Sequence, residues 1–243
     1  MHPALTHTDH RPWPLPDAPW TWRQRWCDLL FAHWNVPASW LTPLIPDPLR
    51  LDTYNGTAWL GVIPFRMEGV MRRPLPDLPW ISAFPEMNVR TYVTYQGKPG
   101  VWFLSLDATN LLAVLAARLF FHLPYYWASM SLTKDAHGIQ YASTRTDARF
   151  LGRYRPTGPV QPAEPDTLTH WLTERYCLYT QIRTGVLIRN EVHHPPWPLQ
   201  PAECTIQMNT MPQSHGLPVT GSPDHLCFAR SLDVVVWNPD RIE

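Results

Sequence analysis

The chain has 243 residues, 44% of them hydrophobic and 16% charged, which is enough apolar material for a sizeable core and far from a disordered composition. Twenty Lys plus Arg balance twenty Asp plus Glu, for a formal net charge of zero. That balance excludes the electrostatic footprint of a nucleic-acid binder or a basic membrane-surface protein. Proline (28) and tryptophan (13) are unusually frequent, and the only lysines are Lys98 and Lys134.

Residues 1–21 are rich in Pro, His and Thr and lack the cationic start and apolar run of a secretory signal. They read as a flexible tail, and residues 22–243 as a single domain without internal repeat or linker. Residues 25–34 suit a strand buried on both faces, and 37–44 one or two helical turns. Asn55-Gly56 predicts a type I′ hairpin between strands at 49–54 and 58–67. A second hairpin joins 87–95 to 101–107 around Gln96-Gly97-Lys98-Pro99-Gly100. Residues 109–121 form the best helix pattern, ended by Leu123-Pro124. The apolar stretch 111–123 is broken by Arg118 and His122 and is shorter than the ~20 residues that span a bilayer. Strands are then expected at 125–133, 139–146 and 148–155. A short helix at 167–174, opened by an Asp166 cap, precedes strands at 176–183, 186–193, 203–211 and 226–237. The pattern predicts a mainly β (α+β) domain, an antiparallel barrel or curved sheet with two or three helices.

Cys27, Cys177, Cys204 and Cys227 are far apart and form no CxxC pair, so neither a zinc ribbon nor a redox motif is written here. Without an export signal all four read as reduced thiols, and a cytoplasmic location is expected. Glu191, His193 and His194 do not make a metal site, since a third ligand on one face is missing. Neither a metal nor another cofactor is expected.

Two segments carry a family resemblance. One is Phe84-Pro85-Glu86 leading into a strand. The other is Gly97-Lys98-Pro99-Gly100, a strand, the helix with Arg118, and then Leu123-Pro124-Tyr125-Tyr126. With the upstream Leu44-Ile45-Pro46-Asp47-Pro48-Leu49 and Asp52, this order resembles the acetoacetate decarboxylases. Gln24-Arg25-Trp26, Asn88-Val89-Arg90-Thr91-Tyr92, Glu174 to Tyr179 and His193 to Leu199 make the chain most similar to the YqjF-like bacterial proteins of that superfamily. The resemblance covers roughly residues 22–240. It implies an antiparallel cone-shaped β-barrel with helices outside and a pocket within. It also implies a departure in mechanism. The decarboxylases form a Schiff base on a lysine whose pKa a second lysine lowers. Those two positions match Tyr125 and Tyr126, and a phenol cannot condense with a ketone. The family's catalytic glutamate matches Glu86, and its helix arginine matches Arg118.

Glu86, Asn88 and Arg90 alternate along one strand and share a face. Arg90 could hold a carboxylate in a bidentate fork, with Glu86 as acid/base. Tyr125 and Tyr126 must point to opposite faces, and one of them is a candidate hydrogen-bond donor. Arg118 needs a buried partner such as Asp107 or Glu86. Arg25 and His193 complete the substrate-binding candidates. The expected function is a small-molecule pocket protein, an enzyme acting on an organic or keto acid without a Schiff base being one form of it. The alternatives are a binding or sensing module for an apolar ligand and an assembly protein with a vestigial cavity. The expected partner is a small molecule, with no nucleic acid or membrane, and self-association into a homo-oligomer is left open.

Overall fold

The computed structural model describes residues 2–75, 82–111, 114–115, 122–182 and 184–242. Among them the chain is mainly β. The first strands are β1 (Trp22–Val36), β2 (Arg50–Leu51), β3 (Ala58–Arg72), β4 (Phe84–Tyr95) and β5 (Lys98–Ala108). Next come β6 (Tyr125–Trp127), β7 (Ser129–Asp135), β8 (Gly138–Thr144), β9 (Arg149–Pro156) and β10 (Cys177–Gln181). The last are β11 (Leu187–His193), β12 (Leu199–Asn209), β13 (His225–Val236) and β14 (Asp240–Ile242). Among the described residues, helix comprises Ala38–Leu41, Leu168–Thr173, short 3-10 turns and the helical positions 111, 114 and 115. The helix expected at 109–121 lies largely outside the described residues. No helix among the described residues is long and apolar enough to cross a membrane.

Hydrogen bonding runs along β11-β10-β5-β4-β3-β1-β13 and returns to its start, because β13 also pairs with β11 through Val192 with Val236 and His193 with Val235. Strands β12, β9, β8 and β7 continue from β13. Pairing is antiparallel apart from β5 with β6 and β5 with β10. The parallel approach of β10 explains a glycine: a Cβ at Gly100 would lie 2.7–2.8 Å from the Tyr179 ring and from Cys177.

Local turn chemistry forms as the sequence predicts, with one difference in pairing. Asn55 and Gly56 both have positive φ (50° and 79°), the type I′ geometry, and Tyr54 bridges Thr57. The strand expected before this turn, however, pairs as β2 with β4, through Arg50 with Thr94 and Leu51 with Val93. After the turn β3 is engaged by β1 from Ala58 onward, and the preceding segment is drawn to the stretch of β4 that β3 leaves free. The β4–β5 turn is tighter than expected: Gln96 and Gly97 alone make it (φ 48° and 76°), and Lys98, Pro99 and Gly100 already belong to β5.

The segment read as a flexible tail is packed instead. Ala4 is fully buried and Pro3–Thr6 is a 3-10 turn. Arg11 makes a buried ion pair with Glu191 at 2.9 Å, and the Trp13 indole donates to the same carboxylate at 2.8 Å. A charge buried against its partner holds a segment that composition alone would leave free.

Alternation along the strands sorts most of the buried apolar side chains into two large cores, with two smaller clusters beside them. Phe31, Ile63, Phe65, Leu106, Tyr125, Val192 and Val234 belong to one. Leu30, Val62, Met87, Val89, Tyr141, Phe150 and Phe228 belong to the other, under β7–β9. Tyr141 ties the layers together by donating to the Glu86 carbonyl at 2.7 Å. In β1 the parity changes partway. Asp28 takes φ 56° in a bulge, so Trp22, Gln24 and Trp26 share a face with Leu29 and Phe31 beyond it.

Candidate functional site

The first core is incompletely filled and leaves a cavity of about 150 Å³. Its walls are Trp22, Trp26, Phe31, Phe65, Phe84, Phe103, Tyr125 and Trp197, with aliphatic side chains between them. Trp26 stacks on Trp197 with ring centres 5.7 Å apart, and Trp197 meets the Phe31 ring edge-on at 4.9 Å. The segment Pro195-Pro196-Trp197-Pro198 supplies Trp197 as a wall, its indole donating to the Thr173 carbonyl at 2.9 Å. Into this apolar space β4 sends three polar side chains, Glu86, Asn88 and Arg90, and β1 sends Gln24. The order follows from strand period: Met87 and Val89, the intervening residues, face the other core.

Glu86 is 2% exposed and lies opposite Phe65 and Ala108 on the neighbouring strands. Burial pushes its carboxyl up to about 8; the Tyr125 hydrogen bond opposes this and the Asp107 charge adds to it. Glu86 therefore keeps its proton at neutral pH. Tyr125 donates to Glu86 Oε2 at 2.9 Å, and burial next to that acid raises the phenol well above its ordinary value. Tyr126 points the other way: it is 38% exposed, with the Arg145 guanidinium 4.1 Å from its ring centre. Of the two tyrosines, Tyr125 lines the cavity and Tyr126 does not.

Arg90 lies 5.4 Å from the Phe31 ring centre. Its Nη2 donates to the Leu172 carbonyl at 3.0 Å and to the Tyr92 hydroxyl at 3.2 Å, both neutral acceptors. Nη2, which both forks of a guanidinium share, is thus already engaged, and Nε has no hydrogen-bond partner among the described residues. Tyr92 is itself fixed, donating to Leu172 O at 2.9 Å and lying 2.7 Å from His33 Nε2. Burial, and then the Arg90 charge, hold His33 well below the usual histidine range. Asn88 is buried, and its Oδ1 has no hydrogen-bond partner.

Two further candidates sit elsewhere. Arg25 faces away from the cavity, 53% exposed in its side chain, and pairs at 2.8 Å with Asp233 directly across on β13. Its neighbours Gln24 and Trp26 take the inward positions. His193 is turned out for the same reason, since Val192 is the inward residue of β11. His193 Nε2 lies 2.8 Å from the Ala4 carbonyl and its ring stacks on His10, burial bringing it down to about 4. Arg118 lies outside the described residues. Asp107, considered as its partner, faces Arg145 at 3.6 Å on the opposite side of the sheet from Glu86. Arg175 reaches Asp52 at 2.6 Å, and the cap before Leu168–Thr173 is Thr167, not Asp166. Neither lysine lines the cavity: Lys98 is 3.5 Å from Glu191 and Lys134 is 2.6 Å from Asp28. Among the described residues no group of three or more His, Cys, Asp or Glu is placed to hold a metal ion.

Solved structures with the same fold define the class. Acetoacetate decarboxylase from Legionella pneumophila matches with a TM-score of 0.63 at 12% identity, over 97% of this chain and 93% of that one. An acetoacetate decarboxylase-like enzyme from Sphingomonas wittichii RW1 matches with a TM-score of 0.64 at 12% identity, over 93% and 94%. The enduracididine biosynthesis enzyme MppR, solved in complex with pyruvate, matches with a TM-score of 0.63 at 11% identity, over 93% and 91%. The chain thus has an acetoacetate decarboxylase-like fold. Within that class it belongs to DUF2071, a family described as an uncharacterized conserved protein, whose pattern matches residues 23–233. It is 49% identical over 226 residues to the uncharacterized protein YqjF of Bacillus subtilis (strain 168), covering 92% of this chain and 93% of that one.

Proposed function

We propose that the closed path of strands is a cone-shaped β-barrel and that its cavity binds a small organic acid, with Glu86 as the proton donor and acceptor serving it. The observation that carries this reading is Arg90, a cation only 9% exposed in a largely apolar wall, whose hydrogen bonds run to neutral partners. A buried cation without a counter-charge is costly, and a ligand carboxylate supplies that charge. At about 150 Å³ the space is comparable to cavities that hold one benzene ring, so the ligand is small. The pyruvate held by MppR is an acid within that size, which supports the reading. Glu86 faces the same space as a neutral acid, and its proton can be offered to a ligand oxygen or carbon. An imine has no part in this chemistry, because Tyr125 stands where the family's lysine would and both lysines are engaged elsewhere.

Native mass spectrometry of freshly purified protein tests the proposal. A carboxylic acid is expected to accompany the wild type and to be depleted at least tenfold in Arg90→Leu. A neutral compound retained equally by both proteins would overturn it.

A further inference from the structure

We propose that the cavity takes an unbranched, medium-chain carboxylic acid, its carboxylate at Arg90 and its alkyl chain laid along the strands past Glu86. The inference rests on reading the cavity as an organic-acid site. The lining positions run from Arg90 to Phe84 on β4 and from Ile63 to Val70 on β3. At a rise of roughly 3.3 Å per residue each run is about 20 Å long. The register sets the two runs side by side, with Ile63 opposite Asn88, Phe65 opposite Glu86 and Met67 opposite Phe84. A volume of about 150 Å³ drawn out over such a length is a narrow channel rather than a round chamber. A single chain of methylenes follows a channel of that shape, whereas a saturated ring must force the walls apart.

Polarity is ordered along the channel. Arg90, Asn88 and Glu86 take successive inward positions of β4, and the next inward position is Phe84. Beyond it stand Met67 and Val70 on β3 and, at the same level, Trp26 and Trp22 on β1. Gln24 adds an amide at that end, and its carbonyl oxygen accepts from the Trp26 indole at 2.8 Å. A ligand matched to this order carries charge at one end only. A dicarboxylate would bury its second charge among the aromatic rings. A methylene laid against the same side chains leaves water, which strengthens binding about fourfold for each one added.

The test is calorimetric titration of the wild type with butyrate, hexanoate, octanoate and cyclohexylacetate, the last two having the same number of carbons. Affinity should rise about tenfold with each pair of methylenes, and octanoate should bind about tenfold or more tighter than cyclohexylacetate. Val70→Phe narrows the apolar end at a half-buried position. In that variant octanoate should lose about tenfold or more, while unchanged butyrate binding shows that the cavity is folded. Affinity that stays level from butyrate to octanoate, or that is equal for ring and chain, would overturn the chain reading and leave the acid site standing. So would Val70→Phe that binds octanoate as the wild type does. Failure of all four acids to bind would overturn both.

Discussion

A carboxyl group in an apolar cavity either finds a cation or keeps its proton, and Glu86 keeps its proton. Its neighbour across the space is the Tyr125 hydroxyl at 2.9 Å, a donor that neither Phe65 nor Ala108 could replace. The consequence is a defined pH dependence. In the unfolded chain this glutamate titrates near 4.5 and in the folded protein near 8. Between those values the folded state binds more protons, so its stability falls as pH rises through the window. Glu86→Gln keeps an acceptor for Tyr125 and removes the titration. In denaturant unfolding the variant should be near parity with the wild type at pH 4.5 and more stable by a few kcal/mol, to order of magnitude, at pH 8. A difference that does not change with pH would mean that Glu86 is solvated or ion-paired.

Strand parity decides which side chains of an element matter. On β11, Val192 faces the cavity while Glu191 and His193 turn toward the N-terminal segment. That segment is held by Arg11, whose guanidinium reaches Glu191 at 2.9 Å and the Val192 carbonyl at 2.6 Å and lies 4.9 Å from the Tyr176 ring centre. In Arg11→Ala, Glu191 keeps Lys98 and Arg189 nearby, at 3.5 and 3.3 Å. The cost should therefore fall below the 3–5 kcal/mol typical of breaking an isolated buried pair, at about 2 kcal/mol. Limited proteolysis should cut the variant faster before Trp22 and leave the strands intact. An unchanged cleavage rate would mean that His10 and Trp13 hold the segment without Arg11.

Across the whole molecule, the two lysines are kept away from the cavity by carboxylates of distant elements. Lys134 on β7 meets Asp28 in the β1 bulge, and Lys98 on β5 meets Glu191 on β11. Imine formation needs an uncharged amine within the pocket, whereas a neighbouring carboxylate favours the ammonium form. Incubation with acetoacetate and borohydride should therefore leave the intact mass unchanged. A stable adduct on either lysine would mean that its ion pair opens and the chain reaches the cavity.

The alternation that puts Glu86, Asn88 and Arg90 on one face was legible in the sequence, because a strand's period of two is a local property of the backbone. So were the Asn55-Gly56 turn, which needs only residues that tolerate positive φ, and the family, which short phrases such as Glu174 to Tyr179 carry. Which face of a strand looks inward is a different matter, since that depends on what packs against it. Gln24-Arg25-Trp26 placed Arg25 and its neighbours on opposite faces without saying which was buried, and Asp233 across on β13 completes the answer. Tyr125 and Tyr126 were equivalent until Glu86 and Arg145 took opposite sides of β6. The Arg11–Glu191 pair joins positions 180 apart, and no local pattern announces such a contact. The tertiary structure alone decided these points, because burial and charge pairing arise only when segments distant in sequence share one space.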